Sequence, residues 1–89
     1  MFKPLGNRVL VRINKKYIMD GRKPVLDERG QPAYEEEKEG VVIASNVPEL
    51  KKGAVVVPII RGGVPILSEE TKKHMVFSFD FDDLYAQKV

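Results

Sequence analysis

Apolar residues in this chain come in short runs broken by glycine, proline and charge. Asn7-Arg8-Val9-Leu10-Val11-Arg12-Ile13 is rich in β-branched residues and partly alternating, which predicts a strand. Gly40-Val41-Val42-Ile43-Ala44-Ser45 predicts a second strand, and Ala54-Val55-Val56-Val57-Pro58-Ile59-Ile60 a third. Met75-Val76-Phe77-Ser78-Phe79-Asp80-Phe81 alternates and so places Phe77, Phe79 and Phe81 on one face. Asp82-Asp83 breaks that run before a short last strand, Leu84 to Val89. Paired glycines in Arg61-Gly62-Gly63-Val64 predict a tight hairpin, because they accept the positive φ of a primed turn. Pro58 and Pro65 cannot donate to a ladder and are expected at edges or bulges. No segment has a helical period. Short strands at close spacing predict an all-β small barrel or sandwich.

The periodicity fails from Asn14 to Glu39. Within GRKPVLDERGQPAYEEEKEG, residues 21 to 40, the only apolar side chains of any size are Val25, Leu26 and Tyr34. Gly21, Pro24, Gly30 and Pro32 punctuate it, and charges of both signs fill it. An insert longer than about 12–15 residues without its own structure is uncommon in a compact domain, and is usually functional or disordered. A solvated surface loop without a role is the plainer alternative.

The chain has 89 residues, which is one domain, 1–89. A domain of this size buries about 60–70% of its unfolded surface, so its own core is thin and oligomerisation would help it. Fifteen basic and 13 acidic residues leave a net charge of +2. That balance argues against a dedicated nucleic-acid binder, which concentrates its basic residues in a stripe. The chain has no cysteine, so disulfide, thiol-nucleophile and thiolate-metal chemistry are excluded. Met1 to Leu5 has no apolar stretch behind it and is not expected to be a signal peptide. No apolar run approaches the ~20 residues of a membrane span. A cytoplasmic protein fits these features.

Candidate catalytic chemistry is sparse. His74 is the only histidine, and a metal site needs three or four convergent donors. Asp80, Asp82 and Asp83 form the best carboxylate cluster, but without the spaced ligands and turn glycine of a calcium loop. Glu35-Glu36-Glu37 with Lys38-Glu39 is a solvated charge run. Gly62-Gly63 is too short to cradle a phosphate and precedes no helix. The phenylalanines could stack bases, as in an oligonucleotide-binding β-barrel, although the electrostatic footprint that accompanies such binding is missing. The chain is expected to be no enzyme and to need no cofactor or metal.

Phe2-Lys3-Pro4-Leu5-Gly6-Asn7-Arg8-Val9-Leu10-Val11-Arg12 resembles the opening of the chaperonin-10 (GroES-like) co-chaperonins, which runs like K-P-L-x-D-R-V-L-V. Lys38-Glu39-Gly40-Val41-Val42-Ile43-Ala44 is similar to the family's strand after its mobile loop. Leu50-Lys51-Lys52-Gly53-Ala54-Val55-Val56 is similar to its V-K-V-G-D-x-V segment, and Met75 through Ala86 to its closing run. The resemblance covers nearly the whole chain, weakly in the middle and most strongly at the start.

That resemblance implies an irregular β-barrel, a mobile loop at about residues 15–39, and a heptameric ring that caps a chaperonin-60 (GroEL-like) partner over an unfolded substrate protein. The loop would be disordered alone and would order on the partner through a small apolar tripeptide. Counted from Lys-Pro-Leu without a gap, the tripeptide position falls on Pro24-Val25-Leu26, and Tyr17-Ile18-Met19 competes with it. Neighbouring subunits would pair through Lys3, Pro4 and Leu5 against Leu84, Tyr85 and Ala86. The chain departs from the family at Pro24, which removes an N–H and fixes φ. It departs again at Gly21-Arg22-Lys23, where the family has paired glycines. The family's roof hairpin is reduced to Val47-Pro48-Glu49-Leu50, as in the diverged co-chaperonins of bacteriophages, which implies an open or taller dome in a host cytoplasm. No nucleic acid and no membrane is implied.

Overall fold

The computed structural model describes residues 3–59 and 62–88. The expectations for Met1, Phe2, Ile60, Arg61 and Val89 fall outside the described residues. The main strands are β1 (Arg8–Tyr17), β5 (Gly40–Ser45), β6 (Val55–Pro58), β8 (His74–Asp80) and β9 (Leu84–Gln87). Shorter ones are β2 (Met19–Asp20), β3 (Lys23–Pro24), β4 (Tyr34–Glu36) and β7 (Val64–Pro65). Seven of them form one antiparallel sheet in the order β7-β8-β1-β5-β6-β9, with β4 also paired to β1. The second sheet is the two-stranded pair β2-β3.

The chain's last connection shows why this sheet must curl. From β8 to β9 the sheet order steps across β1, β5 and β6, four spacings or roughly 19 Å if the sheet were flat. Only the 3₁₀ turn Phe81–Asp83 joins the two strands, and three such residues rise about 6 Å. A half-barrel brings the strand ends within that reach. The crossing is tied at both ends: Phe81 N–H donates to the Asn7 carbonyl at 3.0 Å, and Ile59 N–H to the Asp83 carbonyl at 2.8 Å. The protein is thus all-β, with the curled sheet of a small β-barrel.

Strand β1 is the spine, with β5 on one flank and β8 on the other. Val9, Val11 and Ile13 alternate inward and are buried with Val42, Val56, Phe77 and Phe79. Phe81 lies in the 3₁₀ turn rather than the strand, partly buried against this core. The link from β5 to β6 carries no hairpin. It folds back so that Leu50 enters the core, Val47 packs beside it, and Asn46 donates from Nδ2 to the Pro4 carbonyl at 2.7 Å. Pro58 sits at a register shift in the β6–β9 pair, and Pro65 lies on the edge strand β7, as their missing N–H requires.

Two expectations are corrected. Gly62-Gly63 does not make a hairpin between β6 and β7, because these strands are not neighbours; β7 pairs with β8 instead. The glycine at 63 answers to space: a Cβ there would lie 2.7 Å from the Phe79 ring. The stretch from Asn14 to Glu39 also has regular structure. Strand β1 runs four residues past Ile13, and β2, β3 and β4 fall in the segment expected to be a structureless loop.

Candidate functional site

The four extra residues of β1 carry an arm out of the barrel. Lys15, Lys16 and Tyr17 pair with Glu36, Glu35 and Tyr34 of β4. The register sets opposite charges across the ladder, although Lys15 Nζ turns to Glu70 and neither cross-ladder pair closes to an ion pair among the described residues, so the backbone ladder and the tyrosine contact hold this segment. The Tyr17 and Tyr34 rings meet edge to face, 5.9 Å apart.

Beyond Tyr17 the chain makes a hairpin. Asp20 and Lys23 close a two-residue turn, with Gly21 at φ 65°. A positive φ at the first central position is what the II′ turn demands, and glycine supplies it at no steric cost. A second turn follows, in which Asp27 Oδ1 accepts from the N–H groups of Arg29 and Gln31 at 2.9 and 3.0 Å. Leu26 and Pro32 bridge its two sides.

Three segments then meet at one point. Val25 N–H donates to the Ile18 carbonyl at 3.0 Å, Ala33 N–H to the Val25 carbonyl at 2.8 Å, and Ile18 N–H to the Ala33 carbonyl at 3.0 Å. The three backbone hydrogen bonds form a closed ring. Met19 faces Pro24 in the next pair along. Narrow and wide pairs alternate in an antiparallel ladder, so this is a position where no N–H is required and Pro24 fits without loss.

The two candidate tripeptides are therefore not separate sites. Pro24-Val25-Leu26 and Tyr17-Ile18-Met19 are adjacent strands of one hairpin. Met19 and Leu26 are 53% and 57% exposed, and Ile18 and Val25 are also exposed.

At its base the arm is fastened to the chain segment entering β8. Lys15 continues the inward face of β1, and its side chain is only 7% exposed. Its Nζ donates to Glu70 Oε1 at 2.7 Å and lies 4.6 Å from the Tyr34 ring centroid. Burial, the largest single influence, disfavours the ammonium, but the hydrogen bond to Glu70 and the charges of Tyr34, Glu70 and Tyr17 together outweigh it. The Lys15 pKa is held above its ordinary 10.5. The Tyr17 hydroxyl donates to the Lys72 carbonyl, Tyr34 Oη to Met75 Sδ, and Lys15 N–H to the Lys73 carbonyl. An open cleft of about 930 Å³ lies beside these contacts, with Met19, Pro24, Tyr34 and Leu67 among its walls. In the sequence Tyr17 and Tyr34 stand out only as exposed apolar residues, and the Lys15–Glu70 anchor does not stand out. The available signal was the period of two running on from Ile13 to Lys15 and Tyr17.

The other candidates fall into structural places. His74 Nδ1 lies 3.3 Å from Thr71 Oγ1, within the turn that opens β8. Asp80 Oδ1 accepts from Asp82 N–H at 3.1 Å and caps the 3₁₀ turn. Among the described residues no group of three histidine or acidic side chains could hold a metal ion. Phe77 and Phe79 are core side chains. No described helix is long and apolar enough to cross a membrane. Of the expected subunit interface, Lys3 and Leu5 are exposed and Pro4 is buried. Leu84 packs on the core, and Tyr85 and Ala86 stand out from it. Strand β9 is the last in the sheet order, paired to β6 along one side. No family model matches the chain, and no curated protein matches it.

Proposed function

We propose that this protein is a co-chaperonin of the chaperonin-10 type, which caps a chaperonin-60 ring through its arm and encloses a substrate protein. The observation that carries this is the arm itself. It leaves a small β-barrel between the first two long strands and holds Ile18, Met19, Val25 and Leu26 away from the core. Fully burying a side chain such as Val25 or Leu26 contributes about 1.5–3 kcal/mol, so one arm binds weakly. A ring presenting several arms makes later contacts intramolecular and gains avidity without new chemistry. Strand β9 supports ring assembly: among the described residues its side away from β6 is unpaired, and with the exposed Tyr85 it offers an edge that a neighbour's Lys3-Pro4-Leu5 segment would cover. The short Val47–Leu50 link, folded into the core, leaves the dome without a roof hairpin, as in bacteriophage members of that family.

Size exclusion of the protein mixed with a bacterial chaperonin, with ADP, with ATP and without nucleotide, tests the proposal. Nucleotide-dependent co-elution is expected. A folded ring that never co-elutes with a matched chaperonin would remove the function while leaving the fold.

A further inference from the structure

Strand β5 loses one of its partners halfway along. Gly40 and Val41 pair with Val56 and Val55 of β6. Val42 still bonds to the chain entering β6: its N–H donates to the Ala54 carbonyl and its carbonyl accepts from Gly53 N–H, both at 2.8 Å. Past Val42, among the described residues, no strand lies beside Ile43, Ala44 and Ser45 on that side. Their other side is held by β1, where Leu10 faces Ala44 and Val9 faces Ser45. The edge is left free because the link to β6 folds as turns, with Leu50 N–H on the Val47 carbonyl and Ala54 N–H on the Lys51 carbonyl. A hairpin in its place would have lengthened both strands.

An open cleft of about 680 Å³ lies along this edge, a volume in the range of ligand sites. Its apolar walls include Ile43, Val47 and Leu50. Lys3, Lys51 and Lys52 also line it, and among the described residues no acidic side chain does; Glu49 stands in the link but outside the cleft. The three lysines are exposed, and none makes an ion pair among the described residues. No aromatic ring is among the walls, so bases would have nothing to stack on, which disfavours a single-stranded nucleic acid.

We infer that the free edge of β5 from Ile43 to Ser45 is a docking site for an extended acidic peptide, whose backbone extends the sheet and whose carboxylates meet Lys3, Lys51 and Lys52. An added strand gains main-chain hydrogen bonds at a sheet edge, and its alternate side chains point to opposite faces. An alternating peptide can therefore set apolar side chains on the apolar walls and acidic ones toward the lysines. Lysines on a strand can also guard its edge against pairing. These three lie off the strand, on the link and the amino-terminal segment, where they line the space a new strand would enter. The inference stands apart from the co-chaperonin reading.

The probe is a short fluorescein-labelled peptide in which glutamate alternates with valine, titrated at low salt and followed by anisotropy. Saturable binding is expected, and it should weaken as salt rises. Lys51→Gln/Lys52→Gln is expected to weaken binding roughly tenfold and to leave thermal unfolding unchanged, because both side chains are exposed. This pair carries the test because the ring proposed above would cover Lys3. Replacing the peptide's valines by serine is expected to weaken binding by about fivefold or more. Amide chemical-shift changes should centre on Ile43 to Val47 and leave arm residues such as Val25 unmoved.

No binding, equal binding of the serine peptide, binding unchanged in the lysine variant, or shift changes centred elsewhere would each overturn the inference. Tighter binding of a short oligothymidylate would overturn it in favour of a nucleic-acid surface. A lysine variant that alters the protein's sedimentation but not peptide binding would make the cleft a contact between copies of the chain, and would overturn it too. Failure to bind a chaperonin bears on the proposed function and not on this cleft.

Discussion

Lys15 holds Glu70 across 55 residues of sequence, Nζ to Oε1 at 2.7 Å, and so fixes the base of the arm to the segment that opens β8. The lysine side chain is nearly buried while the carboxylate is about one third exposed. Removing either partner leaves the other without its partner in a half-dry place. Lys15→Met and Glu70→Gln are each expected to cost about 1–2 kcal/mol, the range of a hydrogen bond to a charged group discounted for exposure. The double variant should cost less than the sum of the two singles. A double-mutant cycle from denaturant unfolding measures that coupling. Additive losses would show that the two residues act separately.

The same pair gives a pH dependence with a definite sign. Lys15 has a folded pKa raised above its ordinary 10.5: burial, the largest single influence, lowers it, and the Glu70 hydrogen bond together with the charges of Tyr34, Glu70 and Tyr17 outweighs burial. A raised basic group contributes stability that is full below its unfolded pKa and is lost as pH rises through the folded value. The stability difference between the natural protein and Lys15→Met is therefore expected to be level from neutrality to about pH 10 and to shrink above it. A difference that grows with alkalinity would contradict the assignment.

Two glycines are set by close packing and give a stability prediction. A Cβ at Gly40 would collide with Val11 Cγ1 and come within 3.1 Å of the Arg12 carbonyl oxygen. At Gly63 it would meet the Phe79 ring at 2.7 Å. The obstacle at Gly40 includes backbone, and the ring at Gly63 is fully buried, so neither can give way freely. Gly40→Ala and Gly63→Ala are each expected to destabilise by about 1–3 kcal/mol, the usual cost of overpacking. In a domain of this size each kcal/mol lowers the midpoint by roughly 4–8 °C. Thermal unfolding followed by circular dichroism checks both.

The barrel was largely legible because its strands announce themselves twice, by β-branched residues and by alternation. Val9, Val11 and Ile13 show both, and they are the buried face of the central strand. The arm was not legible because its strands lack the second signal. Lys15-Lys16-Tyr17 and Tyr34-Glu35-Glu36 read as solvated charge until their register is known, when Lys16 is found opposite Glu35. Gly21-Arg22 was the missed cue: a pair with glycine first, as a II′ hairpin turn requires, standing between the two tripeptides that looked like rivals. Gly62-Gly63 failed in the opposite way. Paired glycines signal a turn when φ demands them, but here Gly63 is small because Phe79 is large and near. Sequence spacing does not distinguish those two needs.

The last prediction concerns the arm's apolar contact. Val25→Asp and Leu26→Asp place a charge among exposed side chains outside the core, so the barrel, and the ring proposed for it, should survive. Each also removes about 1.5–3 kcal/mol of burial at the partner, roughly a ten- to hundredfold loss for a single site. That loss is multiplied where several arms must engage together, so capping is expected to vanish. Ile18→Asp and Met19→Asp should behave alike if the hairpin docks as one unit. Sedimentation of each variant alone reports whether the proposed ring forms, and co-elution with a chaperonin in ADP reports capping. Loss in all four with the ring intact fits a composite contact. Capping retained by Val25→Asp and Leu26→Asp but lost by the other two would confine the contact to Tyr17-Ile18-Met19. Capping retained by all four would take the arm out of the interface, and with it the reason for a chain this small to carry one.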